Sequence, residues 1–222
     1  MSHPFIPAGG APAATDPTAL ERRMRPALDA SALPTEVFGS RGTIWWGNVG
    51  FMIVETMTLA VCVASYFYLR RSFQEWPPPG TELPDLLVPT VNLVVLLATI
   101  VPYRLLKRRA EQLDTAGVKR WLVACLLAGL GANVVRALEF TALNTWYDVN
   151  AYGSAVWAIL VTHTTLLLVD LFETGTLAAI FFGGKQEAKH YVDATDNANY
   201  SYFMILAWVP LYAILYLYPR WG

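Results

Sequence analysis

The chain has 222 residues, of which 55% are hydrophobic and only 15% are charged, and its formal net charge is −1. A composition of this kind, arranged in long apolar runs, is typical of an integral membrane protein and excludes an ordinary soluble domain. Lysine and arginine flank the apolar runs and form no single basic face, which argues against nucleic-acid binding. Cys62 and Cys125 lie inside apolar runs without metal-site spacing, so we expect both to be packing residues.

The first 42 residues form a polar segment rich in alanine and proline. It has no basic start followed by an apolar stretch, as a signal peptide would have. We therefore expect residues 1–42 to be a cytoplasmic tail and residues 43–222 to form a separate transmembrane domain.

Five later segments are long and apolar enough to cross a bilayer, which predicts an all-α bundle of five transmembrane helices. They are Thr43–Leu69, Val88–Leu106, Val118–Leu143, Tyr152–Phe182 and Tyr200–Tyr218. A polar loop precedes the last segment, and His190 in that loop is expected to form surface hydrogen bonds and to cap the helix that follows.

The positive charges predict the orientation of the bundle. With the N-terminus inside, twelve lysine and arginine residues lie on the cytoplasmic side and three on the outer side. This excess predicts a multi-pass protein of the inner (cytoplasmic) membrane, with its N-terminus inside and its C-terminus outside.

Glu55 is the one ionisable residue in the first apolar run. It follows Trp45 by ten residues, or about 15 Å of helix, which places it near the middle of a bilayer. A charged side chain there costs about 2.5–3.5 kcal/mol, so a carboxylate at this depth is a candidate functional residue.

The third span carries Asn133, Arg136 and Glu139 along one helical stripe. Residues three apart on a helix are neighbours, so Arg136 and Glu139 are predicted to form an intramembrane pair. The pair either anchors the outer end of its helix or contacts a partner subunit or a lipid headgroup.

The fourth span carries His163, Asp170 and Glu173. His163 lies about 17 Å below Tyr152, a depth similar to that of Glu55, which predicts a contact between His163 and Glu55 inside the bundle. His163 can equally be a structural residue satisfied within the core. Asp170 and Glu173 form a secondary polar cluster, but the sequence lacks the repeated ligand spacing of a metal or haem site, so no metal is expected.

Five local patterns, in matching order and spacing over residues 43–222, resemble subunit III of the haem–copper cytochrome c oxidases. The span WWGNVGFMIVETMTLAVCVASYFYLRR is similar to the family's helix with a buried glutamate, here Glu55. WPPPG followed by PTVN resembles the family's next stretch, and Glu139 with the following phenylalanine resembles the Glu-Tyr that ends the span after it. Tyr152 opens a Tyr-Gly-Ser pattern with His163 eleven residues later, and Tyr200–Trp221 has the family's closing aromatic pattern.

The chain departs from that family in several places. The usual member has seven helices, so this sequence is identified as a short, five-helix member that lacks the first two. Leu166 stands where the family has a second histidine, and Arg136 stands where it has a glutamine.

The resemblance implies an accessory subunit that has no catalytic residue and no redox centre of its own. Such a subunit packs against the catalytic subunit I and further oxidase subunits, which hold the haem and copper. It stabilises the complex and supports proton uptake, with Glu55 as the family's buried carboxylate. Membrane lipids are the other expected partners, including bound phospholipid.

Three alternatives remain at the level of sequence. A related accessory protein of nitric oxide reductases also has five helices. A proton-coupled transporter would use Glu55 and His163 as a relay. A membrane metalloenzyme would use His163, Asp170 and Glu173.

Overall fold

A computed structural model describes residues 37–221 of the chain. Five long helices make up most of this part: α1 Thr43–Arg70, α2 Leu87–Glu111, α3 Thr115–Thr141, α4 Ala151–Gly183 and α5 Ala188–Trp221. Each is long and apolar enough to cross a membrane, and no strand occurs between residues 37 and 221. The predicted all-α, five-helix fold is confirmed. The predicted tail, residues 1–42, falls outside the described residues except for its last six.

Short polar caps begin two of the helices. The Asp114 carboxylate accepts a hydrogen bond of 2.9 Å from the Gly117 N–H at the start of α3. Asn150 accepts one of 2.8 Å from the Gly153 N–H at the start of α4. The Gly117 hydrogen bond, with smaller help from the Arg109 guanidinium, holds the pKa of Asp114 below its ordinary value. In both cases the side chain before the helix accepts from a first-turn N–H that has no partner within the helix. These two caps therefore determine where α3 and α4 begin.

The fifth helix begins twelve residues before the predicted span at Tyr200. The segment expected to be a polar loop is helical from Ala188, and its residues Thr195, Asp196 and Asn197 are buried in the bundle. Apolar composition detects the part of a helix that can face lipid, whereas these polar turns face protein. The predicted span therefore begins too late. The predicted capping role of His190 is confirmed, since its Nδ1 accepts the Glu187 N–H at 3.1 Å.

The two C-terminal helices lie at the centre of the packing. α5 contacts α1, α2 and α4, while α4 contacts α1, α3 and α5. A π-helical turn at Ala213–Leu217 interrupts α5 near its end. The outward faces of the helices are apolar, with Met57, Leu127 and Phe172 among the exposed side chains. The interior instead holds polar and charged side chains such as Arg136, Glu139 and Asp170, as expected when the surrounding solvent is lipid.

Candidate functional site

Buried polar side chains form two clusters inside the bundle. The first, the Arg136 cluster, joins α2, α3, α4 and α5 and consists of Asn92, Arg136, Glu139, His163, Trp208 and Tyr216. The second, the Asp170 cluster, joins α1, α2, α4 and α5 and consists of Glu55, Tyr103, Asp170, Thr174, Asn197, Tyr200 and Ser201. Both clusters lie among residues that are almost fully shielded from the surroundings.

The predicted ion pair between Arg136 and Glu139 is confirmed. Arg136 Nη1 lies 2.8 Å from Glu139 Oε2, and neither side chain has any exposed surface. Asn92 on α2 donates to the same oxygen at 2.5 Å, and Tyr216 on α5 donates to Oε1 at 2.7 Å. A buried charge is tolerated only when it is paired and its remaining lone pairs are satisfied. Donors from three helices meet that condition here, so the carboxylate ties α2, α3 and α5 together.

His163 lies beside this pair as a neutral ring. Its Nε2 is 3.1 Å from the Met204 carbonyl oxygen, and its Nδ1 is 3.4 Å from Arg136 Nη2. A carbonyl can only accept and a guanidinium can only donate, so Nε2 carries the proton and Nδ1 is an acceptor. The Arg136 guanidinium also lies 3.6 Å from the centroid of Trp208, a close cation–π contact. His163 is thus hydrogen-bonded within the core, as the structural interpretation of the sequence expects.

Glu55 is buried but does not meet His163. The Tyr200 hydroxyl donates to Glu55 Oε1 at 2.6 Å, and Oε2 has no hydrogen-bond partner within residues 37–221. The predicted contact with His163 is therefore wrong. The prediction takes the ends of the two helices to be level. Because α1 has 28 residues and α4 has 33, equal residue counts from their ends do not give equal depths.

Asp170 accepts more hydrogen bonds than Glu55 does. Ser201 donates to its Oδ1 at 2.7 Å, Asn197 approaches the same oxygen at 3.5 Å, and Tyr103 reaches Oδ2 at 3.4 Å. Tyr200 and Ser201 are consecutive, so one turn of α5 holds both Glu55 and Asp170. This pairing places Glu55 level with Asp170, about 10 Å along α4 from His163.

Glu173 lies in different surroundings from Asp170, although the two are one turn apart. It lines an open cavity of about 560 Å³ together with Asn48, Asp193, Asp196 and Tyr200. Asp170 is buried and Glu173 faces this cavity, but the Asn197 side chain interacts with both carboxylates, so the polar cluster of Asp170 and Glu173 stays a prediction. Within residues 37–221, no group of three or more His, Cys, Asp or Glu side chains is arranged to hold a metal ion.

Several residues of the two clusters were not singled out as site residues from the sequence. Asn197 and Ser201 lie four apart, as residues on one helical face do, but the apolar pattern predicts a loop at Asn197 and the edge of a span at Ser201. Asn92 and Tyr216 are single polar groups in apolar helices, and each approaches Glu139 only because α2 and α5 pack against α3 or its neighbours.

The fold and its interior define a multi-pass membrane protein of five helices with a hydrogen-bonded polar core. The chain is similar to probable cytochrome c oxidase subunit 3 of Mycobacterium bovis, with 30% identity over 187 residues, covering 80% of this chain and 86% of that protein. Cytochrome c oxidase subunit 3 of Thermostichus vulcanus is 23% identical over 177 residues, or 78% of this chain and 87% of the relative. The subunit of the same name from Synechocystis sp. is 22% identical over 200 residues, or 86% and 83%. No family model matches the chain. On the similarity to these relatives, it belongs to the cytochrome c oxidase subunit 3 family.

The coverage of these matches also compares the length of this chain with the lengths of its relatives. A match that spans most of this chain and at least 83% of each of these three relatives means that the relatives are chains of similar length. The short form is therefore shared with proteins that carry the subunit 3 name.

Proposed function

We propose that this protein is an accessory subunit, without a redox centre of its own, in a haem–copper oxidase that oxidises cytochrome c and reduces oxygen. The observation that carries the proposal is the 30% identity with a probable cytochrome c oxidase subunit 3 over 80% of the chain. The haem and copper belong to partner subunits, foremost the catalytic subunit I. This chain stabilises that subunit and supports proton uptake by the complex.

The two polar clusters have complementary roles in this proposal. The Arg136 cluster is structural, because it joins four helices through a fully buried ion pair and its hydrogen bonds. The Asp170 cluster is electrostatic, because it concentrates the carboxylates of Glu55 and Asp170 about one turn of α5. Negative charge or protonatable groups at this place influence the field near a proton-uptake route in a neighbouring subunit. Glu55 is thus a tuning residue, and the catalysis belongs to the partner.

The proposed location is the cytoplasmic membrane, with the N-terminus inside and the C-terminus outside. The short connection between α2 and α3 supports this orientation, since basic residues flank it on both helices. Positive residues in short loops favour the cytoplasmic side.

Purification from native membranes tests the proposal most directly. A tag at the C-terminus is used to isolate the chain in mild detergent, and the co-purifying proteins are identified together with haem and copper content and oxygen consumption. Co-purification with a copper-containing, oxygen-reducing subunit is the expected result. Co-purification with a nitric oxide reductase would instead identify the chain as an accessory protein of that enzyme.

Two further measurements address the other classes of function. Proton flux in liposomes that contain this chain alone would support a transporter and contradict an accessory role. A stoichiometric metal in the isolated chain would support a metalloenzyme. We expect neither, because the proposed function needs the partner subunits.

A further inference from the structure

The open cavity beside Glu173 is lined by three carboxylates, and no lysine, arginine or histidine of residues 37–221 lines it. Its volume of about 560 Å³ is large enough for a small organic molecule. Glu173 of α4 and Asp193 and Asp196 of α5 supply the carboxylates, and Ile44 and Phe51 of α1 form another part of the wall. We call this space the acidic cavity. The proposed accessory function does not use it.

The acidic cavity lies toward one end of the bundle. Ile44 is the second residue of α1, Asp193 is the sixth residue of α5, and Glu173 lies ten residues before the end of α4. Because successive spanning helices alternate in direction, these three helix ends lie on the same side of the membrane. In the proposed orientation this is the cytoplasmic side, so a ligand would come from the cytoplasm. This point alone rests on the proposed function.

Asp196 contributes a carboxylate that the protein leaves partly unsatisfied. The residue is only 5% exposed and lines the cavity. Its Oδ1 accepts from Asn199 at 3.4 Å, whereas its Oδ2 has no hydrogen-bond partner within residues 37–221. Buried polar atoms are ordinarily hydrogen-bonded, and a buried carboxylate needs donors or a positive charge. A cationic donor in the cavity would supply both.

The carboxylates are suited to an extended cation. They belong to two helices, and within residues 37–221 no group of three acidic, histidine or cysteine side chains converges to hold a metal ion. A chain with two or more ammonium groups can instead meet carboxylates that are spread along one cavity. Lys107 offsets part of the negative charge from outside the cavity, since its Nζ donates to Asn199 at 2.7 Å.

Aromatic rings favour an organic cation over a hydrated metal ion. Phe51 and Tyr200 both line the cavity, and their ring centroids are 5.9 Å apart. The Tyr200 hydroxyl donates to Glu55 at 2.6 Å, which holds this ring in place, and Phe51 is 51% exposed. Ring faces attract alkylammonium groups and pack against methylene groups. Ile44 and Leu177 extend the apolar part of the wall.

We propose that the acidic cavity binds a linear aliphatic diamine or polyamine. Glu173, Asp193 and Asp196 hold the ammonium groups, and Phe51 and Tyr200 contact the methylene chain between them. Hydrogen bonds between ammonium groups and carboxylates are charge-assisted and therefore strong.

The test is equilibrium dialysis with the full-length protein in an uncharged detergent at fixed ionic strength. Spermidine, putrescine, n-butylamine and Mg²⁺ are the probes, each added separately. The cavity variant is Glu173→Gln with Asp193→Asn. Its control is Glu75→Gln with Glu82→Gln, which removes the same charge from exposed positions outside the cavity.

We expect spermidine to bind most tightly, and putrescine to bind at least about fivefold more tightly than n-butylamine, because a second ammonium group meets a second carboxylate. The cavity variant should weaken spermidine binding about tenfold, and the control less than about twofold.

A second pair of variants tests the aromatic contact. Phe51→Ala should weaken spermidine binding about threefold and leave any binding of Mg²⁺ unchanged. Phe172→Ala is the control, because this ring is 78% exposed and lies outside the acidic cavity, and it should have no effect. Retained protection of the buried Cys125 thiol from alkylation verifies that each variant is folded.

Four results would overturn the proposal. Equal losses in the cavity variant and its control would show a diffuse charge effect. Equal affinity for putrescine and n-butylamine would remove the second ammonium group from the argument. Mg²⁺ that competes with spermidine as strongly as putrescine does, without sensitivity to Phe51→Ala, would identify a metal ion as the ligand. Spermidine binding by the isolated chain but not by the complex with its partners would assign the cavity to a partner's side chain.

Discussion

The buried ion pair of the Arg136 cluster gives the sharpest prediction. Glu139 Oε2 accepts from Arg136 and Asn92, and Oε1 accepts from Tyr216. In Glu139→Gln one carboxylate oxygen becomes an NH2 group, which must then face at least one of these donors. The Arg136 guanidinium also loses its counter-charge. Breaking a buried pair at one partner costs about 3–5 kcal/mol. Folded proteins have only about 5–15 kcal/mol of total stability, so this loss is large.

A double-mutant cycle separates the pair from its surroundings. Arg136→Met should be destabilising for the same reason, since it leaves the Glu139 carboxylate without its cation. The combined variant Arg136→Met with Glu139→Gln leaves no uncompensated charge. We therefore expect it to be more stable than the sum of the two single losses by about 1–3 kcal/mol.

Thermal unfolding in detergent provides the assay. Cys125 is fully buried, so a thiol-reactive dye reports its exposure on unfolding, in a Cys62→Ser background that removes the partly exposed second thiol. A loss of 3 kcal/mol corresponds to a decrease of roughly 6–12 °C in Tm for a chain of this size. Arg120→Gln on the same helix is the control, because it removes an exposed arginine that forms no salt bridge within residues 37–221. Its Tm should stay within about 2 °C of the parent. Strict additivity of the two single variants would refute the assignment of a stabilising pair.

Three other perturbations test separate parts of the structure. Glu55→Gln should leave assembly and initial oxygen reduction largely intact in the purified complex, whereas complete loss of initial activity would contradict an accessory role. Asp114 has a lowered pKa, so its stabilising effect is present above about pH 4, the ordinary value, and is lost as the pH falls through the folded-state pKa. Asp114→Asn keeps an acceptor for the Gly117 N–H but removes the charge. The Tm difference between the parent and this variant should therefore shrink below pH 4. A difference that does not depend on pH would contradict a stabilising role for the ionised carboxylate. The proposed orientation places Gln112 on the cytoplasmic side and Ser72 on the outer side. Gln112→Cys should therefore react with an impermeant thiol reagent only in inside-out vesicles, and Ser72→Cys only in right-side-out vesicles. The reverse pattern would show the opposite orientation.

Interactions within a single helix were predictable from the sequence. The spacing of Arg136 and Glu139 brings them together on any α-helix, so the predicted pair is present at 2.8 Å. The number of spans was also predictable, because apolar length is set by bilayer thickness. The start of α5 was not, because its first turns are polar and are covered by protein.

Interactions between helices depended on the tertiary structure. Glu55 was matched to His163 by counting residues from the helix ends, yet its partner is Tyr200. The rise per residue fixes depth only along one helix, whereas packing sets the vertical offset and rotation of its neighbours. The same limit hid Tyr216 and Asn92 as donors to Glu139, although both are visible in the sequence as polar residues in apolar surroundings.

The sequence by itself therefore determined that the chain is an all-α membrane protein, that a carboxylate lies buried at Glu55, and that its motifs resemble subunit III. These features depend on composition, helical spacing and local pattern. Only the tertiary structure decided which groups satisfy each buried charge, and it assigned His163 to Arg136 and Glu55 to Tyr200. The physical reason is that a buried polar group must find a partner, but the partner is chosen by how five helices are displaced and rotated against one another.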